Sequence, residues 1–386
     1  MPDRSLRILM TDPHLEGGGQ VTYVSRLAGA LTRLGHAITI GCKPSSILLA
    51  RAAEAHCGVH NGFVFKGGLR PGAWVRDLRA MRRYITVEKP DLIHVSGSQD
   101  HWVCALGNRL LGRPVCLLRT RHNTYPVKDS LPNRILNRAW TDYQIVVCDV
   151  VRRTLAQQPA FDGERMCTIH NGVDAEQFKP DAAARRRARH EFGYTEAHVV
   201  CGIAARLVPA KGHEFLFRAT AQLASDYPVL RVLVLGQGDL EARLKRMAEE
   251  CGIADRVQFA GFRNDMAYCT QAFDIGVQPS IDCDTSSFSL KEQMAAEKPV
   301  IASDYGGLTE IVDDGVQGLV VPAGAAEPLA RAVQHLLEDP QTALRMGRNG
   351  RQRVLREFSV DVFAQRTVQA YHRALASHRE RREHRN

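Results

Sequence analysis

The sequence predicts an α/β protein with two parallel sheets, one in each half of the chain. Three observations carry this. Short apolar runs of strand length alternate with amphipathic runs of helical period from Leu6 to Ile169. The alternation restarts at Val199 and continues to Val321. Glycine turns stand where strands hand over to helices, at Gly17-Gly18-Gly19, Gly236-Gln-Gly238 and Gly306-Gly307. In such sheets ligands bind beyond the carboxyl ends of the strands.

Leu6–Met10 reads as the first strand, Thr11–Gln20 as a loop, and Val21, Val24, Leu27, Ala28, Leu31 and Leu34 as one stripe of a helix closed by Gly35. His36–Ile40, Val59–Phe65, Asp91–Val95, Pro114–Leu118, Tyr143–Val147 and Arg165–Ile169 read as further strands, with helical patterns around 72–87, 99–112 and 131–140. Neither Gly17–Gly19 nor Gly236–Gly238 spells G-x-G-x-x-G, so no dinucleotide fingerprint is met. Residues 164–180 form the crossing point, and Asp181–Arg189 is a charged, solvated helix rather than a nucleic-acid patch. Beyond it, Val199–Ala204, Leu230–Leu235, Val257–Ala260, Ile275–Val277, Val300–Ala302 and Gly318–Val321 build the second sheet, and helical patterns 326–338, 341–357 and 360–377 finish the chain.

A chain of 386 residues with 44% hydrophobic and 24% charged residues suits two soluble globular domains. No stretch approaches the ~18 apolar residues that span a bilayer. The amino terminus lacks the apolar segment of a signal peptide. Ten cysteines include no C-x-x-C pair, which argues against a zinc ribbon and for reduced thiols. The expected location is therefore the cytoplasm. Net charge is +9, and residues 66–138 hold fourteen Lys/Arg against five Asp/Glu. The stretch from His378 to Asn386 adds a basic tail. Such charge suits an anionic lipid surface or a phosphorylated small molecule. With 6% aromatics and no nucleic-acid motif, nucleic acid is not an expected partner.

The stretch around which these elements are organised is Asp284-Thr-Ser-Ser-Phe-Ser-Leu-Lys-Glu292, with two carboxylates eight positions apart. Thr and Ser are good helix caps, so the loop enters a helix near Phe288 and offers free N–H groups to an anionic or hydroxyl-rich ligand. Ser289-Leu-Lys-Glu292 also fits a capping box, in which Glu292 would only satisfy a backbone N–H. On these residues both readings stand. Asp282-Cys-Asp284 spells D-x-D, a string that some sugar-transfer enzymes use for a divalent cation. Upstream, Arg206-Leu-Val-Pro-Ala-Lys211-Gly212 carries two cations on one loop, and His122 stands just beyond the strand Pro114–Leu118.

Taken in order, these pieces resemble the GT-B glycosyltransferases of family 4, the retaining group that includes many bacterial polysaccharide and lipopolysaccharide enzymes. The resemblance covers nearly the whole chain. It rests on Gly17-Gly18-Gly19, Asn171-Gly-Val-Asp174 with Phe178 and Pro180, Arg206 to Gly212, Leu235-Gly-Gln-Gly238, Phe259-Ala-Gly261 and Pro279-Ser280. Glu292-Gln-Met-Ala-Ala, Pro299–Ser303, Gly306-Gly307 and Glu310-Ile-Val312 complete it. The family's E-x7-E motif aligns with Asp284 and Glu292, the first carboxylate being Asp in place of Glu. The usual Gly-Phe-Gly appears as Ser287-Phe288-Ser289.

The resemblance implies two Rossmann-like domains facing across a cleft. The expected divisions are an acceptor-binding domain over 1–178, a nucleotide-sugar-binding domain over 179–358, and a terminal helix over 359–386 packing back on the first domain. It implies transfer of a sugar from a nucleoside-diphosphate sugar to a glycan or lipid-linked glycan. Glu292 would hold the ribose, and Asp284 with the 286–289 backbone the sugar. Arg206 and Lys211 would hold the departing diphosphate, with Gly17–Gly19 closing over the phosphates, Gly236 beside the nucleotide, and His122 near the sugar. No metal or other cofactor is expected, so the D-x-D string is not read as a metal site. The basic segment, with Arg76, Arg79, Arg82 and Arg83 on a helix beside Trp74, Leu78 and Met81, suggests peripheral docking at the inner face of the cell membrane. The alternatives are an epimerase or phosphorylase of the same fold, and a nucleotide-sugar-binding protein without activity.

Overall fold

The computed structural model describes residues 4–68 and 70–383. Leu69, within the basic segment, and residues 384–386 of the basic tail lie outside the described residues. The chain divides into two compact units, one formed by Met1–Gly172 with Val360–Asn386 and the other by Val173–Ser359.

Among the described residues the first unit holds seven strands: β1 (Arg7–Thr11), β2 (Ala37–Gly41), β3 (Gly58–His60), β4 (Leu92–Val95), β5 (Cys116–Arg121), β6 (Tyr143–Val146) and β7 (Met166–Thr168). They lie parallel in the order β3-β2-β1-β4-β5-β6-β7. The strand order reverses between β1 and β4, and a crevice forms where the loops after those two strands part. Helices α1 (Gly19–Arg33), α2 (Leu48–Glu54), α3 (Pro71–Glu88), α4 (Gln99–Arg109), α5 (Leu131–Arg134) and α6 (Asp149–Ala156) connect the strands. Leu9, Ile93, Val95 and Leu117 of the sheet join Met81, Val103 and Cys104 of α3 and α4 in one apolar cluster.

The second unit repeats the plan with β8 (Val199–Ala204), β9 (Leu230–Leu235), β10 (Val257–Phe259), β11 (Ile275–Gln278), β12 (Val300–Ser303) and β13 (Gly318–Val321). All run parallel in the order β10-β9-β8-β11-β12-β13, with the reversal between β8 and β11. Its helices are α7 (Ala182–Glu191), α8 (His213–Leu223), α9 (Glu241–Glu250), α10 (Met266–Gln271), α11 (Phe288–Ala295), α12 (Ala326–Glu338) and α13 (Pro340–Arg353). Strands buried on both faces read as continuous apolar runs, which is why Leu230-Arg-Val-Leu-Val-Leu235 was recognisable.

The chain then returns to the first unit through α14 (Val360–Glu383). Phe363, Ala364, Thr367, Val368, Tyr371 and Ala374 bury one stripe of this helix. Tyr371 sets its hydroxyl 2.8 Å from Nδ1 of the buried His94. At the far end His378 Nδ1 lies 2.9 Å from Asp142 Oδ2, and Arg381 donates to Asp142 Oδ1 at 3.2 Å. The helical pattern expected over 360–377 therefore runs on through the basic stretch to Glu383.

Several expectations change. The unit boundary falls at Gly172–Val173 rather than at 178, because the Val173 N–H bonds the Phe358 carbonyl and Phe178 is buried with Leu290 and Phe358. Val59–Phe65 is a strand only over Gly58–His60. The N–H groups of Val64 and Phe65 go instead to the Asp77 carboxylate, at 2.6 and 2.9 Å, where a ladder partner would have stood. The strand read at Pro114–Leu118 runs on to Arg121. On α3, Met81 is fully buried and Trp74 packs on the same core, so this apolar side faces the protein and not a membrane. Arg76, Arg79, Arg82 and Arg83 remain exposed on the other side.

Candidate functional site

In the second unit the loops after β8, β11 and β12 meet at the reversal of strand order. The Lys211 ammonium donates to Asp284 Oδ2 at 2.9 Å. The same oxygen accepts from the Ser280 hydroxyl at 2.7 Å and from Gln278 Nε2 at 3.0 Å. Gln278 is fixed in turn, since its second amide hydrogen reaches Ser280 Oγ at 2.9 Å and its carbonyl accepts from Ser289 Oγ at 3.1 Å. Asp284 is 4% exposed and Lys211 half-buried, so this is a partly buried ion pair braced by two further hydrogen bonds on the same oxygen.

Glycine makes the approach possible at two places. Gly212, at φ 66°, lies where a Cβ would strike the Pro279 carbonyl oxygen, and it lets the loop bearing Lys211 pack on the end of β11. Gly306, at φ 60°, touches the Asp284 carbonyl in the same way, and the Gly307 N–H donates to that carbonyl at 3.1 Å. Backbone and side chain of Asp284 are both pinned.

Helix α11 begins where its sequence indicates. Ser287 is its cap, and the Ser287 hydroxyl accepts the Leu290 N–H at 3.2 Å. Ser289 is therefore inside the helix and Glu292 more than a turn in, which removes the capping-box reading. Glu292 is buried, 8% exposed. Phe288 packs on the cluster around Leu290, Met294 and Phe358. Its neighbour Lys291, fully buried, donates to Ser286 Oγ at 2.7 Å with its ammonium 5.2 Å from the Phe358 ring centre. Arg206 differs from these, being exposed and without an ion pair among the described residues. Gly236 serves packing, because a Cβ there would strike the Ala205 carbonyl oxygen. The D-x-D carboxylates have separate partners: Asp282 Oδ1 accepts the Tyr305 hydroxyl at 2.9 Å and the Cys283 N–H at 2.6 Å.

In the first unit a cavity of about 390 Å³ opens at the β1–β4 reversal, lined among others by Lys43, Ser98, Arg119, Arg121 and His122. Asp12 stands behind it, accepting His14 Nδ1 at 2.9 Å and Gln20 Nε2 at 2.8 Å. That hydrogen bond raises the His14 pKa above its ordinary value. His122 is half-buried with its ring edge-on to Tyr23, the centres 4.6 Å apart. Burial, helped by His94 and Arg119, pushes its pKa down to about 3, so the imidazole is neutral at physiological pH. The exposed Gly17–Gly19 turn leads into α1, and a Cβ on Gly18 or Gly19 would meet open space. Packing within the unit does not demand glycine there, which leaves room for an incoming group.

The structure thus brings Lys211 and Asp284 into contact, with Ser289 joined to them through Gln278. Gln278, Ser280, Arg119 and Arg121 were not foreseen. The Pro279-Ser280 pair carried a faint signal for the first two. The strand ending at Arg121, not Leu118, hid the arginines.

The residues on either side of the crossing match two family models: Glycosyltransferase Family 4 over 17–177 and Glycosyl transferases group 1 over 185–353. The putative glycosyltransferase EpsD of Bacillus subtilis is 32% identical over 236 residues, which are 60% of this chain and 59% of that protein. The alignments with the first curated relatives span about half of those proteins' lengths. A glycosyltransferase structure from Rickettsia africae superposes with a TM-score of 0.87 at 19% identity, covering 97% of this chain and 99% of that one. HepE of Anabaena in complex with UDP gives 0.82 at 22% identity, covering 95% and 99%. At such identity these likenesses establish the fold, which is GT-B. The chain belongs to the glycosyltransferases that the family 4 and group 1 models describe.

Proposed function

We propose that the chain is a retaining glycosyltransferase that moves a sugar from a nucleoside-diphosphate sugar to a glycan or lipid-linked glycan of the cell surface. The observation that carries this reading is the Lys211–Asp284 clamp at the carboxyl ends of β8 and β11. Breaking a sugar–phosphate bond leaves negative charge on the departing diphosphate. A cation already held in place stabilises that charge without reorganising. Arg206, on the same loop and without an ion pair among the described residues, supplies a second cation. The first N–H groups of α11 add the positive end of a helix dipole.

In this reading Asp284 positions Lys211, and Glu292 receives the ribose hydroxyls. The acceptor oxygen bonds the sugar carbon on the face the diphosphate leaves, a diphosphate oxygen takes the acceptor's proton, and configuration is retained. The held Lys211 and the exposed Arg206 together do the work that a divalent ion would otherwise do. His122, neutral, exchanges hydrogen bonds with sugar hydroxyls rather than offering charge. Family membership and the UDP bound to the related HepE support a nucleoside diphosphate as ligand. The exposed arginines of α3 favour an anionic acceptor surface, reached by charge alone because no apolar stripe of α3 is left free. Among the described residues no helix is long and apolar enough to cross a membrane.

The test is a thermal-shift panel of UDP, GDP, ADP and CMP with their sugar conjugates, with and without EDTA. A ligand at a hundredfold excess over its Kd stabilises by about 2.7 kcal/mol. A selective shift that survives EDTA is expected. No shift with any nucleotide overturns the donor site.

A further inference from the structure

The cavity of the first unit holds a charge imbalance that its own fold does not explain. On β5, residues 119 and 121 point to the same side, since strand side chains alternate. Arg119 is satisfied in part. One arm meets His101 Nδ1 at 2.7 Å and another reaches Ser98 Oγ at 3.3 Å. His101 accepts this bond because its pKa lies well below the ordinary value, through burial first and then Arg119 and Arg121. Its other nitrogen lies 2.8 Å from Thr141 Oγ1.

Arg121 has no such answer. It is 7% exposed and makes no hydrogen bond or ion pair among the described residues. Its guanidinium lies 5.5 Å from the centre of the Phe161 ring and lines the cavity. Burial and the neighbouring Arg119 push its pKa down to about 9, which leaves it charged near neutrality. Lys43, half-buried at the end of β2, lines the same cavity and is likewise without an ion pair among the described residues.

Of the nearby carboxylates, Asp100 offsets part of the Arg119 charge, and none pairs with Arg121 among the described residues. Asp12 is occupied by His14 and Gln20. Asp100 Oδ2 accepts the Thr11 hydroxyl at 2.7 Å and the N–H groups of Ser96 and Gly97 at 3.1 Å each. A buried, unpaired guanidinium is costly to keep unless something pairs with it. Gly97, Ser98 and Gln99, at the amino end of the eleven-residue helix α4, line the same cavity. Cations from two strand ends and a helix amino end thus surround one volume, a donor set that matches a doubly charged tetrahedral oxyanion better than a carboxylate. His122, Asn123 and Gln20 complete the wall with neutral polar groups suited to hydroxyls.

We propose that this cavity binds a phosphate group, held by Arg121, Arg119, Lys43 and the amino end of α4, with the phosphorylated end of the sugar acceptor as its source. The phosphate site stands on the cavity alone, whereas its assignment to an acceptor rests on the transferase reading. The other source of the same chemistry is the donor's diphosphate.

The test is calorimetric titration of the full chain with inorganic phosphate and pyrophosphate, for wild type, Arg121→Met and Lys43→Gln. Wild type is expected to bind, and each variant to bind at least tenfold more weakly. Arg121→Met, which removes an unpaired buried charge and keeps an apolar stem beside Phe161, is expected to melt at or above the wild-type temperature without ligand while losing the phosphate-induced rise. Repeating the titration in saturating UDP separates the sources. Unchanged phosphate affinity assigns the site to the acceptor, and displacement assigns it to the donor's diphosphate. Wild type that binds neither anion overturns the proposal, as do variants that bind like wild type. Since UDP binding is read in the same samples, loss of the phosphate site and failure of the donor site give different results.

Discussion

The Asp284 carboxylate takes an ammonium, a hydroxyl and an amide on one oxygen, so its work at the residue scale is to hold Lys211. Lys211→Ala is expected to lower sugar transfer about 10²–10³-fold, the usual effect of losing one fixed group at developing charge. Asp284→Asn keeps the shape and gives up the ion pair. It should reproduce most of that loss in kcat while changing UDP affinity less than tenfold. Transfer assays paired with UDP calorimetry read the split, and a variant with lowered melting temperature but normal kcat would make Asp284 structural only. Lys211, Asp284 and His122 could be named from their places after strands, and Glu292 from its place inside the helix that follows Asp284. Gln278 and Ser280 could not, because their role depends on how the end of β11 meets the loop from β8. Arg119 and Arg121 could not be placed either, because they follow the strand end expected at Leu118 and only its continuation to Arg121 buries both side chains.

Helix ends and helix returns carry the argument at the element scale. Ser287 was legible as a cap region because hydroxyl residues there precede an apolar run, yet the competing box at Ser289 had equal standing until the cap geometry settled it. The amphipathic pattern of α3 was legible too, but periodicity does not say whether an apolar stripe meets a core or a membrane. For α14 the decisive contact is Asp142, fully buried, which takes Arg113, Arg381, His378 and the Leu117 N–H. Burial alone would raise its pKa, but the His378 hydrogen bond and the Arg113 charge outweigh it and hold the carboxyl below its ordinary value. The sign follows. A depressed carboxylate contributes stability that is present above its unfolded pKa of about 3.9 and lost as pH falls through the folded value. Wild type should therefore lose stability progressively below about pH 4. Asp142→Ala should cost about 3–5 kcal/mol at neutral pH by removing the buried carboxylate that Arg113, Arg381 and His378 share. It should also flatten the acid limb of a urea-melt series against pH, and an unchanged limb would mean that other carboxylates govern acid unfolding.

For the whole molecule, the two parallel sheets were legible because strands covered on both faces are apolar throughout, and because the alternation visibly restarts. Less legible was the exact seam. Residues 173–178 look like a tail of the first domain, yet Val173, Ala175 and Phe178 are buried with Leu290, Met294, Val354 and Phe358. The second unit is thus continuous in sequence and closes its own start and end through the Val173–Ser359 bridge. The first unit is discontinuous and needs α14, whose Phe363 and Tyr371 are almost wholly buried against its sheet and α1. Removing those two side chains alone would forfeit about 3–6 kcal/mol of apolar burial, comparable to the stability of a domain. The two pieces should behave differently. A fragment spanning residues 173–359 is expected to unfold cooperatively in urea and to keep the nucleoside-diphosphate affinity of the full chain within tenfold, since Arg206, Lys211, Asp284 and Glu292 all lie inside it. A fragment spanning residues 1–172 should lack a cooperative transition until a peptide covering residues 360–383 is added. If the 173–359 fragment folds but no longer binds the nucleotide, the donor site draws essential residues from outside it. If the 1–172 fragment folds alone, α14 is an accessory to the first unit rather than part of its core.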